Sequence, residues 1–255
     1  MNRTASPHVL PRVSVIIPTF NSGATLEACL QSILAQSVPR DHYEIIIADG
    51  GSVDDSRAIA ARLGVDRIVE NPLRTGEAGK SAGIREARGA FIALIDSDNL
   101  LDSPDWLTRM VRPLETDSTL AAAEPIAFTC RPQDPPLTRY FALLGMNDPL
   151  CLAVGNYDRL CGITGRWTDL PVPTRDCGDY LEATLSPTAL PTIGANGFVF
   201  RRTLLDKVAW SPYFFDLDIM HQAVLAGFNR VAKVKCGIVH LYCARLGDFV
   251  RKQDR

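Results

Sequence analysis

Four short apolar runs, separated by stretches of helical spacing and mostly followed by polar residues, constrain this chain more than any other feature. They are residues 13–17 (VSVII), 43–48 (YEIIIA), 67–70 (RIVE) and 91–95 (FIALI). The first two have the length and composition of buried strands, and the other two read as a third and a fourth strand. Between them, Leu26, Cys29, Leu30, Ile33 and Leu34 recur at helical spacing over 25–36, with Asn21 or Ser22 as the cap. Residues 54–63 and 79–88 read as two further helices. Strands alternating with helices in this way predict βαβ units in an α/β fold, with a largely parallel sheet flanked by helices.

The second half has a different rhythm. A further strand is expected over 120–128, and the turn-rich RPQDPP at 131–136 separates two lobes. Residues 138–154 read as helical with a break at Asp148-Pro149, whereas 156–192 is rich in Gly, Pro, Asp and Arg without periodicity, as in surface loops that carry specificity. Regularity returns with a strand at 197–200, helices at 203–208 and about 216–227, and a strand at 231–240. The expectation is one domain over 1–255, with halves at about 12–115 and a smaller lobe at about 116–245.

A formal net charge of -2 removes the broad electrostatic reason to expect nucleic acid, so any anion site must be local. Seven cysteines without a C-x-x-C pair read as reduced thiols, which places the chain in the cytoplasm. No stretch approaches the ~20 apolar residues that span a bilayer, and residues 1–11 lack a secretory apolar run. The basic end at 249–255 (FVRKQDR) is suited to peripheral contact with an anionic membrane, here the inner face of the plasma membrane. A solvated helix end has the same composition.

In an open α/β sheet ligands collect beyond the carboxyl ends of the strands. Those ends carry Pro18, Thr19, Phe20 and Asn21 after the first run, Asp49, Gly51 and Ser52 after the second, and Asp96, Ser97 and Asp98 after the fourth. Two carboxylates one residue apart at the mouth of a buried strand suit a hard divalent cation, Mg2+ or Mn2+, that also takes diphosphate oxygens. Such pairs also occur as turns and caps. Asp49, before two glycines that let a flat ligand approach, can accept a hydrogen bond from a base N–H or a ribose hydroxyl.

The runs V-S-V-I-I-P-T-F-N, I-I-I-A-D-G-G-S-V-D-D and A-L-I-D-S-D together resemble glycosyltransferase family 2 with its GT-A type fold. The likeness is dense over 13–112 and thinner later, at Gly194 to Arg202 and Phe215 to Asp218. It implies that Pro18, Phe20 and Asp49 hold the nucleoside of a nucleotide-diphospho-sugar, UDP or GDP. By the same likeness Asp96 and Asp98 hold the ribose and the metal-diphosphate, Asp216 is the catalytic base, and transfer inverts the anomeric carbon. Asp218 stays a competitor for the base, because this chain has Phe215 where many members have Glu. Lys80-Ser81 stands where many have Arg-Asn. The Q-x-x-R-W signature of processive synthases is missing, since no Gln precedes Arg166-Trp167, which points to transfer of a single sugar.

The departing diphosphate needs a counter-charge, and Arg74 or Lys80 can add to that of the metal. Asp216 opens a helix, where the dipole favours its ionised form. His240 ends the last strand and is a candidate metal ligand, with Arg245 near phosphate. Tyr157, Arg159, Arg166 and Trp167 are candidates for stacking on an acceptor, though packing is the commoner fate of such residues. The acceptor expected is a glycan, a lipid-linked sugar or a small molecule. A sugar-phosphate nucleotidyltransferase is the competing enzyme class, but Pro18 to Gly23 has no basic residue to receive a triphosphate. A non-catalytic nucleotide-sugar binding module is the third reading.

Overall fold

A computed structural model describes residues 12–253; the leader through Pro11 and the final Asp254 and Arg255 lie outside the described residues. The first apolar run forms β1 (Val13–Thr19), with all seven residues buried, followed by α1 (Gly23–Leu34). Next come β2 (Tyr43–Asp49), α2 (Ser56–Arg62), β3 (Arg67–Glu70), α3 (Gly76–Glu86) and β4 (Phe91–Leu94). These four strands are parallel, in the order β3-β2-β1-β4. β1 and β2 run in step from Val13 beside Tyr43 to Thr19 beside Asp49, so their ends reach the same rim.

The chain continues through β5 (Asn99–Leu101), α4 (Trp106–Thr116), β6 (Leu120–Phe128), α5 (Pro136–Leu144) and α6 (Leu150–Val154). It then forms β7 (Thr174–Asp176), β8 (Tyr180–Thr184), β9 (Phe198–Arg201), α7 (Asp216–Leu225), β10 (Arg230–His240) and α8 (Leu246–Gln253). Here the sheet is mixed. β9 lies antiparallel between β4 and β6, β10 is parallel to β6, and β8, β7 and β5 add antiparallel pairs. The parallel arrangement expected for most of the sheet therefore describes its first four strands. Beyond them a long irregular excursion brings β9 back from the opposite direction, which antiparallel pairing permits without a crossover helix.

Alternation along the strands divides the core between the two faces. Val13, Val15 and Ile17 of β1 pack with Leu26, Leu30, Trp106 and Met110 on one side, while Ile16 packs with Ile84, Phe198, Phe200 and Ile219 on the other. Both faces are covered, which is why β1 and β2 are apolar without interruption. Gly83 lets α3 lie against β1, since a Cβ there would collide with Ile16 Cγ2. A satellite cluster of Phe141, Leu144, Met146, Tyr157, Cys161 and Cys243 joins α5 to the C-terminal segment, where Phe249 of α8 stacks on Phe141.

Candidate active site

The loops after β1, β2 and β4 are laced together by their own polar groups. Gly50 N donates to Thr19 O at 2.8 Å, Asn21 N to Ser52 Oγ at 2.9 Å, and Val53 N to Asn21 Oδ1 at 2.9 Å. Ser97 Oγ donates to Ser22 Oγ at 2.9 Å, tying in the third loop. Asn21 is thus tied to Ser52 through its backbone and to Val53 through its side chain, and Pro18 and Thr19 are buried within β1. Phe20 is 46% exposed. Its ring and the Arg74 backbone flank Gly50, with the Arg74 guanidinium near Gly51, so a ring and a cation border a glycine floor.

Asp49 is fully buried at the end of β2. Its carboxylate accepts from Gly51 N at 3.2 Å, from Ser52 N at 3.2 and 3.3 Å, and from Arg57 Nη1 at 2.8 Å. Burial alone would raise its pKa, but the bonds from Ser52 and Arg57 outweigh this and hold it below the usual carboxylate range. The sequence reading did not single out Arg57. It also reaches Glu70 at 3.1 Å, so two acids fix it over Asp49.

The D-x-D turn is shaped by Asn99, whose Oδ1 accepts from Asp96 N at 3.1 Å. β5 pairs with the end of β10, setting His240 opposite Asn99. His240 Nε2 thereby lies 3.5 Å from Asp98 Oδ1, while His240 Nδ1 is buried without a hydrogen-bond partner. From α8, Lys252 Nζ lies 3.6 Å from Asp98 Oδ2 and over the Tyr242 ring, 4.3 Å from its centroid. Burial would raise Asp98, but His240 and Lys252 keep it below the ordinary value. Asp96 is pushed up by burial, against the pull of Lys80.

Among the described residues no three His, Cys, Asp or Glu groups gather as a complete metal cage. Asp98 Oδ1 and His240 Nε2, 3.5 Å apart, nevertheless supply one oxygen and one nitrogen donor. That partial set fits a divalent cation whose remaining ligands come from a diphosphate and water. Lys252 belongs to the basic end that the sequence assigned to a membrane surface; nothing in its spacing signals its approach to Asp98.

Asp216 opens α7 and pairs with Lys80 of α3, Oδ2 to Nζ, at 2.5 Å. Lys80 is therefore engaged rather than free, and it also acts electrostatically on Asp96. Asp216 Oδ1 is buried and has no partner. Burial pushes the Asp216 carboxyl up to about 6 against the pull of Lys80, so the helix start does not hold it at an ordinary value. The left-handed Gly194 (φ +110) packs its backbone on Asp216, where a Cβ would stand 2.5 Å from the Asp216 Cβ. Asp218 is instead exposed, accepting from Gln222 Nε2 at 2.7 Å. In the irregular loop, Tyr157, Arg159 and Trp167 are buried and Arg166 pairs with Asp169 at the surface.

Residues 14–159 match the family model of Glycosyl transferase family 2, more than half of the chain. Glycosyltransferase AglE of Haloferax volcanii is 32% identical over 107 residues, which cover 40% of this chain and 35% of that protein. The GalNAc(5)-diNAcBac-PP-undecaprenol beta-1,3-glucosyltransferase of Campylobacter jejuni is 31% identical over 112 residues, 42% of this chain and 36% of the relative. The chain thus spans about a third of the length of these curated relatives. Two solved structures share the fold. Mannosyltransferase PcManGT of Pyrobaculum calidifontis, in complex with GDP-Man and Mn2+, superposes with a TM-score of 0.60 at 20% identity, covering 93% of this chain and 59% of that one. Glucosyl-3-phosphoglycerate synthase of Mycobacterium tuberculosis, with Mn2+, UDP and glucosyl-3-phosphoglycerate, gives 0.58 at 21% identity, covering 94% and 75%. With the mixed α/β sheet of the GT-A glycosyltransferases and a family match across its first half, this chain belongs to glycosyl transferase family 2.

Proposed function

We propose that the chain is an inverting, metal-dependent glycosyltransferase that moves one sugar from a UDP- or GDP-sugar to an acceptor hydroxyl. The observation that carries this reading is a continuous set of charges running from Asp216 through Lys80 to Asp96, Asp98 and His240. A proton acceptor and a cation-binding pair thus belong to one electrostatic unit. Asp216 Oδ1 takes the proton of the acceptor hydroxyl as its oxygen bonds to the anomeric carbon and the bond to the diphosphate oxygen breaks. Lys80 fixes the other Asp216 oxygen, leaving Oδ1 as the oxygen without a partner. Asp98 and His240 are the residues that would hold Mg2+ or Mn2+, and the cation would supply positive charge to the leaving diphosphate. Phe20, Arg74 and Gly51 border the nucleoside, with Asp49 and Arg57 at its base edge.

GDP-Man in PcManGT and UDP in glucosyl-3-phosphoglycerate synthase, each with Mn2+, support this class of donor and cation. The molecules in these names differ, a lipid-linked sugar for the Campylobacter relative and the product glucosyl-3-phosphoglycerate for the Mycobacterium enzyme, so the acceptor class proposed here is a glycan, a lipid-linked sugar or a small molecule. UDP- and GDP-sugars, each with and without Mn2+, test the reading by thermal shift and donor turnover. At a hundredfold excess over Kd the matching donor stabilises by about 2.7 kcal/mol, a rise on the order of 5–10 °C. No shift and no metal-stimulated turnover across the panel would end the proposal.

Among the described residues no helix is long and apolar enough to cross a membrane. The proposed membrane contact is peripheral, at the cytoplasmic face, through α8. It exposes Leu246 and Val250 beside Arg251, a mixture suited to an anionic surface. Flotation should recover the protein with phosphatidylglycerol vesicles at low salt and not with phosphatidylcholine vesicles. Equal recovery with both, or with neither, removes the contact.

A further inference from the structure

Beside the site lies a cluster of charges without contact with water. Glu124 on β6, Arg159 in the loop after α6 and Lys233 on β10 all have side chains with 0% exposure. Glu124 Oε1 accepts from Lys233 Nζ at 2.5 Å, and Oε2 accepts from Arg159 Nη1 at 3.1 Å and from Gly194 N at 3.3 Å. Lys233 Nζ also donates to Asp158 O at 2.8 Å. Burying ions costs several kcal/mol each, and apolar residues of similar volume commonly serve stability as well or better. Arg159 Nε lacks a partner, so the cluster is not even fully satisfied.

The destination of its bonds gives a reason for keeping it. Arg159 Nη2 donates to the carbonyls of Ala195 at 2.6 Å and Asn196 at 3.1 Å. That turn needs holding, because Asn196 has a φ of +51 and Gly194 one of +110. It touches both parts of the site: Gly194 packs on Asp216, and Asn196 Oδ1 accepts at 3.0 Å from Asn99 Nδ2, whose own Oδ1 caps Asp96 N.

We propose that Arg159, clamped by Glu124 and Lys233, is a positioning residue that fixes the 194–196 turn and thereby the placement of Asp216 relative to the Asp96–Asn99 turn. The inference rests on the roles given to Asp216 and Asp98 under the proposed function. A planar guanidinium can hold Glu124 with one nitrogen and two successive carbonyls with the other, which a lysine ammonium cannot reproduce.

The test compares the wild-type chain with Glu124→Leu/Arg159→Met/Lys233→Met and with Arg159→Lys, by amide hydrogen exchange, UDP and GDP binding, and turnover. In the folded triple variant nucleotide Kd should stay within roughly threefold and kcat should fall about 100-fold, with donor KM little changed. Exchange at residues 194–196 should quicken about tenfold or more, with β9 unaffected. Arg159→Lys should give the same local loosening and a smaller fall in kcat. Wild-type exchange at 194–196 in either folded variant, or turnover within roughly threefold of wild type, would overturn the proposal. Should the triple variant not fold, the Arg159→Lys exchange and kcat decide. Should wild type turn over no donor, the proposed function fails on its own and the exchange comparison still judges the positioning.

Discussion

Asp216→Asn should abolish sugar transfer while leaving nucleotide binding intact, a loss in kcat on the order of 10²–10⁴. Asparagine keeps the shape of the side chain but cannot take the acceptor proton. The pH profile supplies a separate signature. Burial pushes the Asp216 carboxyl up to about 6 despite Lys80, and the ionised form is the working one. In wild type, kcat/KM should therefore fall as pH drops through about 6 and level off above it. The asparagine variant should lose that limb from whatever rate remains. Asp218→Asn is the control, since Asp218 lies on the exposed side of α7 against Gln222 and should be dispensable. If Asp218→Asn loses transfer and Asp216→Asn keeps it, the base has been assigned to the wrong carboxylate.

Asp98→Ala should bring the second large loss, about 100-fold or more in the Mn2+-stimulated rate, corresponding to roughly 3 kcal/mol of charge stabilisation. A carboxylate must be ionised to ligate a cation. Asp98 is held below the ordinary carboxylate value although burial opposes it, whereas Asp96 is pushed the other way. Calorimetric titration of Mn2+ in the presence of UDP or GDP should show weakened cation binding, with the nucleotide's metal-independent affinity retained. An Asp98→Ala protein activated by Mn2+ like wild type would remove the metal role from this residue.

β1 and β2 were legible because burial on both faces writes itself into sequence as unbroken apolar runs, and β3, an edge strand with no buried residue, still begins and ends where its sequence predicts. The polar rim beyond β1, β2 and β4 followed from the same runs. α4 was hidden by Pro113 and by the arginines between its buried positions Trp106, Leu107, Met110, Val111 and Leu114. Short β5, β7 and β8 carry too few residues for alternation to register, and a strand's composition does not state its direction. The 203–208 helix is a 3₁₀ turn over Arg202–Asp206, too short for an α-helix to establish itself. Within the site, individual acids could be read from their positions, but their partners could not. Arg57 over Asp49, Lys80 on Asp216 and Lys252 beside Asp98 are meetings of side chains, two of them between distant parts of the chain, that no local pattern announces.

The central seat of β9 has a consequence for how the protein is made. β6 pairs with β9 and β10, both later in the chain, and β4 has β9 as one of its two neighbours. A nascent chain that has just released β6 from the ribosome therefore holds two strands with unpaired backbone edges and nothing yet synthesised to cover them. The irregular stretch before β9 must emerge first, and any pause in translation there prolongs the interval in which a chaperone or a neighbouring chain can reach those edges.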